Sequence, residues 1–315
     1  MNPAPAQKRL QPNGKTLSLI AGTTVCQAKC PFCISKTTPF QGMGPKPEPI
    51  NIERLEKACQ YAGKFDIRNA MITSKGEPAL YPEHIETYLK MAQKYPFDSV
   101  ELQTNGLLFG THPKKYDEIL LDWKGLGLGL IAISVVHYEY DKNKQIYTPK
   151  QDYIDLPAVI NKLHKIGYQV RLSCTLMNGY IDSVPQMLKM IDFAQKNWVE
   201  QLTLRRMEAV EKSENEQISA WTRPRIVTRE IMTQLRAHLN EHSSKIADFF
   251  YGATLYAYGK NKQDVCLTTG LTEKKEGGNE VRQLIFFPSG KIITDWRYDT
   301  EAEDPLAKIN GVKIE

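Results

Sequence analysis

Two apolar patterns alternate along the chain. Short runs rich in branched residues at 16–22, 67–73, 98–103, 128–136, 169–177 and 201–206 read as strands. Between them, at 51–62, 82–94, 156–166 and 184–196, apolar residues recur three and four positions apart, as on one face of a helix. Strands alternating with helices predict an α/β fold with a parallel sheet. Asn51 is placed to cap its helix, and Ile52, Leu55 and Cys59 share a helical face, so Cys59 reads as a core residue. The run 128–136 is apolar throughout, as expected of a strand buried on both faces. In 169–177, Arg171, Ser173 and Thr175 fall on one face and Leu172, Cys174 and Leu176 on the other. The polar face is expected to look inward, and Cys174 to pack against the helices.

The C-terminal third is less regular. Residues 208–225 are polar and charged and read as a loop or crossing segment. Ile231, Leu235 and Leu239 predict a helix over 228–242, with strands in 253–267 and 281–296 around a charged turn at 270–279. Within the last segment, 283–296 reads as a hairpin turning at Pro288-Ser289-Gly290. The aromatic residues here (Phe249, Phe250, Tyr251, Tyr256, Phe286, Phe287 and Trp296) read as core. Residues 34–49, rich in Gly, Pro and Thr, read as an exposed loop.

Composition excludes several classes. With 41% hydrophobic and 24% charged residues the chain is too apolar to be disordered, and 315 residues bury a large core without staples. A net charge of +5 permits an anionic substrate without signalling nucleic acid. No apolar stretch approaches the ~18 residues of a membrane span. Residues 1–15, rich in Pro, Gln and Lys, lack a signal peptide's apolar segment and read as a flexible tail. The chain is expected in the cytoplasm, with reduced thiols.

Three of the six cysteines crowd into Cys26-Gln-Ala-Lys-Cys30-Pro-Phe-Cys33, just after the first strand. A disulfide framework is unexpected in the cytoplasm and would leave one of these three over. Structural zinc needs a fourth ligand, which only a distant Cys or His could supply. An iron–sulfur cube held by three thiolates keeps one iron open for another ligand.

The C-x3-C-x2-C spacing, with aromatic Phe32 before the last cysteine, resembles the radical S-adenosylmethionine (radical SAM) family. The core is most similar to the molybdenum cofactor synthesis-type domain. The resemblance implies a partial (β/α)6 TIM-like barrel over 16–207 and a C-terminal α+β cap over 208–315 that shapes the substrate pocket. It implies a [4Fe–4S] cluster on Cys26, Cys30 and Cys33, whose open iron binds S-adenosylmethionine. Electron transfer to that molecule would yield methionine and a 5′-deoxyadenosyl radical that abstracts hydrogen from the substrate. An electron donor, a reductase or a flavodoxin- or ferredoxin-type protein, follows from that chemistry.

Later motifs extend the resemblance in order. Ser74-Lys75-Gly76-Glu77-Pro78 is similar to the family's Gly-Gly-Glu-Pro element, which holds the methionine amino group, with Lys75 in place of the first glycine. The match implies that Gly76, Glu77 and Pro78 contact the cofactor. Thr104-Asn105-Gly106 matches a family turn, although it also makes an ordinary one. Ser134 lies where relatives contact S-adenosylmethionine; Arg171 would pair its carboxylate and Ser173 its ribose. Arg205 and Arg206 at a strand end, with His137 and Lys75, are candidates for the substrate. His137 equally reads as an exposed loop residue. In relatives with auxiliary clusters a cysteine follows the C-terminal hairpin. Trp296 stands there instead, so one cluster is expected.

The favoured substrate is small and anionic or nucleotide-like. Modification of a tRNA base or a peptide is the competing enzymatic reading; nucleic acid is compatible but not signalled. The non-enzymatic alternative is an iron–sulfur or zinc protein that senses redox state.

Overall fold

A computed structural model describes residues 15–249, 252–269 and 283–296. Six strands follow in chain order: β1 (Thr16–Ile20), β2 (Asn69–Thr73), β3 (Ser99–Thr104), β4 (Leu130–Val135), β5 (Gln169–Leu176) and β6 (Gln201–Arg206). Each pairs in parallel with the next. Helices α1 (Ile52–Lys64), α2 (Pro82–Ala92), α3 (Leu107–Thr111), α4 (Pro113–Gly125), α5 (Tyr140–Tyr147), α6 (Leu156–Ile166) and α7 (Val184–Lys196) connect them. The partial α/β barrel expected from the alternation is present.

Local chemistry sets the helix ends. Asn51 Oδ1 accepts from Arg54 N at 3.0 Å and so caps α1. Asp155 does the same for α6 through Ala158 N, and Gly167, at φ 98°, closes that helix in a conformation only glycine adopts readily. Strand β5 alternates half-buried and buried residues along its whole length. Leu172, Cys174 and Leu176 join the core between sheet and helices, with Cys59, Tyr88, Trp123 and Met187.

The C-terminal third builds more than a cap. Here α8 (Glu216–Thr222) and α9 (Arg229–His242) precede β7 (Ser243–Asp248), β8 (Ala253–Tyr258) and β9 (Gln263–Thr268), and β10 (Gln283–Phe286) and β11 (Ile292–Ile293) follow. Strand β9 pairs in parallel with β6, and β10 in parallel with β1. The described sheet therefore runs β11-β10-β1-β2-β3-β4-β5-β6-β9-β8-β7. Eight consecutive strands in it are parallel, and the antiparallel ones lie at its two ends. The expected hairpin forms between β10 and β11, with Gly290 at φ 93° in its turn.

Three expectations are corrected. Residues 208–225 are not all loop: Asn215 caps α8 by accepting from Ile218 N at 3.1 Å, and the polar sequence hid this short helix. The 34–49 loop is not simply exposed, because Thr37, Thr38 and Gln41 are buried in it. Ile52 shares a helical face with Leu55 and Cys59 but is half exposed. The expected turn at 270–279, Phe250, Tyr251 and the N-terminal tail lie outside the described residues apart from Lys15.

Burial pushes the Cys59 and Cys174 thiols up to about 12. The folded state keeps a proton that the unfolded chain releases near pH 9. Stability from this source is full below that pH and is lost as pH rises through 9 towards 12. At pH 10.5 the loss is about 2 kcal/mol per thiol. Thermal unfolding of the metal-free chain at pH 8 and 10.5 checks this. A smaller fall for Cys174→Val than for wild type is expected, and an equal fall would refute it.

Candidate active site

The cysteine loop leaves the C-terminal end of β1, where parallel α/β sheets place their ligands. It is laced to the loop after β2. Ser74 Oγ donates to Thr23 O at 3.1 Å, and Glu77 N donates to Val25 O at 3.0 Å. Gly76 sits so close that a Cβ there would lie 2.0 Å from Val25 O, so only glycine fits. From the other side, Lys29 N donates to Tyr147 O at the end of α5. Inside the loop, Cys33 N reaches Cys30 O and Lys36 N reaches Cys33 O, which folds the three cysteines into tight turns.

These contacts bring the three thiols within electrostatic reach of one another. Burial, then the negative charge of Glu77, pushes Cys26 up to about 12. Cys30 rises too, from burial first and then from its two neighbouring cysteines. As thiolates the three would repel each other in a desolvated place, and a bound polycation removes that cost. Asn105 Nδ2 lies 3.6 Å from Cys26 Sγ, placed to donate to a thiolate. The buried hydroxyl of Tyr153 has no hydrogen-bond partner and feels the charge of Cys30. Gln27 Oε1, beside Cys26, is likewise buried without a partner. Three clustered thiols with an amide donor on Cys26 and no fourth Cys, His, Asp or Glu grouped with them among the described residues are a donor set that suits an iron–sulfur cube with one open iron.

Glu77 is also built into the scaffold of the site. It is 2% exposed, and Oε1 accepts from Ala79 N at 3.1 Å and from Thr104 Oγ1 at 2.5 Å. Oε2 accepts from Asn105 N at 3.0 Å. The carboxylate ties the β2 and β3 loops together instead of reaching outward. Burial raises its pKa, and the three donors oppose the shift. Asn105 Oδ1 accepts from Gln27 Nε2 at 3.1 Å and from Leu107 N at 2.9 Å. Pro78 opens a short turn and is buried.

The inner face of the barrel is polar. Ser134, Ser173 and Thr203 lie side by side in register across β4, β5 and β6. Arg171 Nη2 donates to Glu101 Oε1 at 2.6 Å across β4, and both side chains are largely buried. The guanidinium assigned to a cofactor carboxylate is thus engaged by a β3 residue that sequence inspection overlooked. The charges of Arg171 and Arg205 both bear on Cys266 of β9, whose thiol burial nevertheless pushes up to about 11. Arg205 belongs to this inner surface, whereas Arg206 Nε donates to Val227 O at 2.9 Å and holds the α9 approach.

Two further placements correct expectations. His137 is 2% exposed, not an exposed loop residue; Nδ1 accepts from Glu139 N at 3.0 Å and its ring packs 4.1 Å from Tyr138. Its ring is packed into the loop after β4. Phe32 stacks on Trp221 of α8 at 6.3 Å, and the Arg225 guanidinium covers that indole at 4.1 Å. Phe32 thereby anchors the cysteine loop to a helix that polar sequence concealed. No composition signal points to Tyr147, Tyr153, Trp221 or Glu101, because their roles depend on which loop packs beside them.

A family model of the Radical SAM superfamily matches residues 20–194, and the chain belongs to that family. Members of that family bind a [4Fe–4S] cluster and S-adenosylmethionine. The GTP 3′,8-cyclase of Desulforamulus reducens is 25% identical over 166 residues, 52% of this chain and 47% of that protein. The match thus spans about half of each. Streptococcus suis SuiB bound to S-adenosylmethionine superposes with a TM-score of 0.57 at 13% identity, covering 89% of this chain and 60% of that one. HydG, a maturase of the [FeFe]-hydrogenase, gives 0.51 at 12% identity over 71% of this chain and 49% of its own. At these identities the two structures establish the fold. No helix among the described residues is long and apolar enough to cross a membrane.

Proposed function

We propose that Cys26, Cys30 and Cys33 hold a single [4Fe–4S] cluster, and that the chain cleaves S-adenosylmethionine to act on a small anionic or nucleotide-like substrate. The observation that carries this is the cysteine loop itself: three thiols locked to the Gly76 loop, with Asn105 on Cys26. A cluster held by Cys26, Cys30 and Cys33 would supply one electron for reductive cleavage of S-adenosylmethionine to methionine and a 5′-deoxyadenosyl radical, which would take hydrogen from an unactivated C–H bond. The chain's own residues orient the partners and keep water away. Gly76 and Pro78, with Asn105, form the wall against which the methionine moiety lies. Ser134 and Ser173 offer hydroxyls on the inner face for the sugar. Arg205, two residues nearer the mouth than the Ser134–Ser173–Thr203 row, supplies positive charge for the substrate, while the Arg171–Glu101 pair lies deeper in the bowl. Cys59 and Cys174 are packed in the core between sheet and helices and are assigned no part in the cluster. The electron comes from a reductase or a flavodoxin- or ferredoxin-type donor.

The test is anaerobic reconstitution followed by iron, sulfide and zinc analysis and dithionite-driven turnover. About four irons per chain and release of 5′-deoxyadenosine are expected. Zinc in place of iron, or a cluster without cleavage of S-adenosylmethionine, would overturn the proposal.

A further inference from the structure

Two positions far apart in sequence stand out: Lys75 takes the place of a glycine of the family's Gly-Gly-Glu-Pro element, and Trp296 stands where relatives with auxiliary clusters have a cysteine. The fold brings them together. Lys75 Nζ stands 5.0 Å from the centre of the Trp296 indole, within cation–π range. The same ammonium donates to Thr38 Oγ1 at 2.6 Å. Lys75 is only 3% exposed. Among the described residues no carboxylate pairs with it, and the charge that bears on it is the Cys33 thiol. Burial pulls the ammonium down to about 8, while Cys33 acts in the opposite sense.

A buried ammonium without an anionic partner is costly, so a fold that builds one has an anion to set against it. Thr38 Oγ1, which accepts from this ammonium, itself donates to Ile34 O at 3.1 Å, next to Cys33, so the charge is tied to the cysteine loop. A glycine at position 75 would bring no charge. We propose that Lys75 is a positioning residue for the cluster: its ammonium, held by Thr38 and Trp296, sets a fixed positive charge against the Cys33 side and eases one-electron reduction. An electron entering the site adds negative charge, and a cation held nearby in a desolvated place stabilises the reduced form. Trp296 supplies a platform that accepts the cation without neutralising it. This inference rests on the cluster assignment above.

The experiment is a redox titration of reconstituted protein without S-adenosylmethionine, followed by electron paramagnetic resonance. Wild type, Lys75→Met, Lys75→Gln and Lys75→Arg are compared, each with its iron content measured. The equilibrium constant for reduction should fall about tenfold in Lys75→Met and Lys75→Gln, a midpoint about 59 mV more negative. Lys75→Arg should recover most of it. The glutamine variant keeps a hydrogen bond to Thr38, which separates loss of charge from loss of the anchor. An unchanged midpoint in either neutral variant at wild-type iron content overturns the role of Lys75 while leaving the cluster in place. A wild-type chain that takes up no iron overturns the cluster and this inference together.

Discussion

Cys30→Ala is expected to lower bound iron from about four per chain to below about one, and to abolish 5′-deoxyadenosine release. Two thiolates cannot hold the cube that three hold with one iron left open. Cys30 is also the thiol most deeply set among the charges of its neighbours, between Cys26 and Cys33 and beside the unpartnered hydroxyl of Tyr153. The matching control is Cys59→Ala, which opens a methyl-sized gap under α1 and costs about 1 kcal/mol. That variant should keep its iron and its activity. Iron analysis and chromatographic detection of 5′-deoxyadenosine read both. Full iron and undiminished cleavage in Cys30→Ala would show that the cluster lies elsewhere.

Glu77→Ala should be the most destabilising substitution near the site that touches no cluster ligand. It strands three buried donors: Ala79 N, Thr104 Oγ1 and Asn105 N. At about 1 kcal/mol or more for each, the loss is about 3 kcal/mol at least. For a chain of this size that lowers the melting temperature by roughly 4–5 °C or more. Iron retention should fall as well, because Asn105 is held by Glu77 and itself reaches Cys26. Calorimetry of the metal-free chain isolates the first effect, and iron analysis after reconstitution reads the second. Unchanged melting would mean that the three donors find other partners, and that the carboxylate is free to serve a ligand as its motif implies.

Glu77 and Arg171 illustrate where sequence inspection stops. Both were legible as residues at strand ends or on an inner face, and both motifs pointed outward to a cofactor. Glu77 turns back to Asn105, 28 residues on, and Arg171 meets Glu101, 70 residues earlier. Neither partner follows from local spacing. Position 137 shows the same limit in reverse: a histidine after a strand reads as exposed, yet Asn143 and Tyr138 close over it.

Local patterns carried most of the core. The period of two in β5, the caps of α1 and α6, and the three clustered thiols each depend on a few adjacent residues, and so survive in the bare sequence. Helix α4 and the short α8 escaped notice because their apolar faces are narrow and interrupted by charge.

The sequence by itself determined the strand–helix alternation, the inward face of β5 and the three cysteines set for a cluster, since backbone geometry repeats over two or 3.6 residues. Tertiary structure alone decided that β9 and β10 flank the barrel strands, that Glu77 binds its own chain, and that Lys75 meets Trp296 across 221 residues. Those outcomes depend on which distant surfaces bury one another, and a buried polar group takes whatever partner that packing brings within reach.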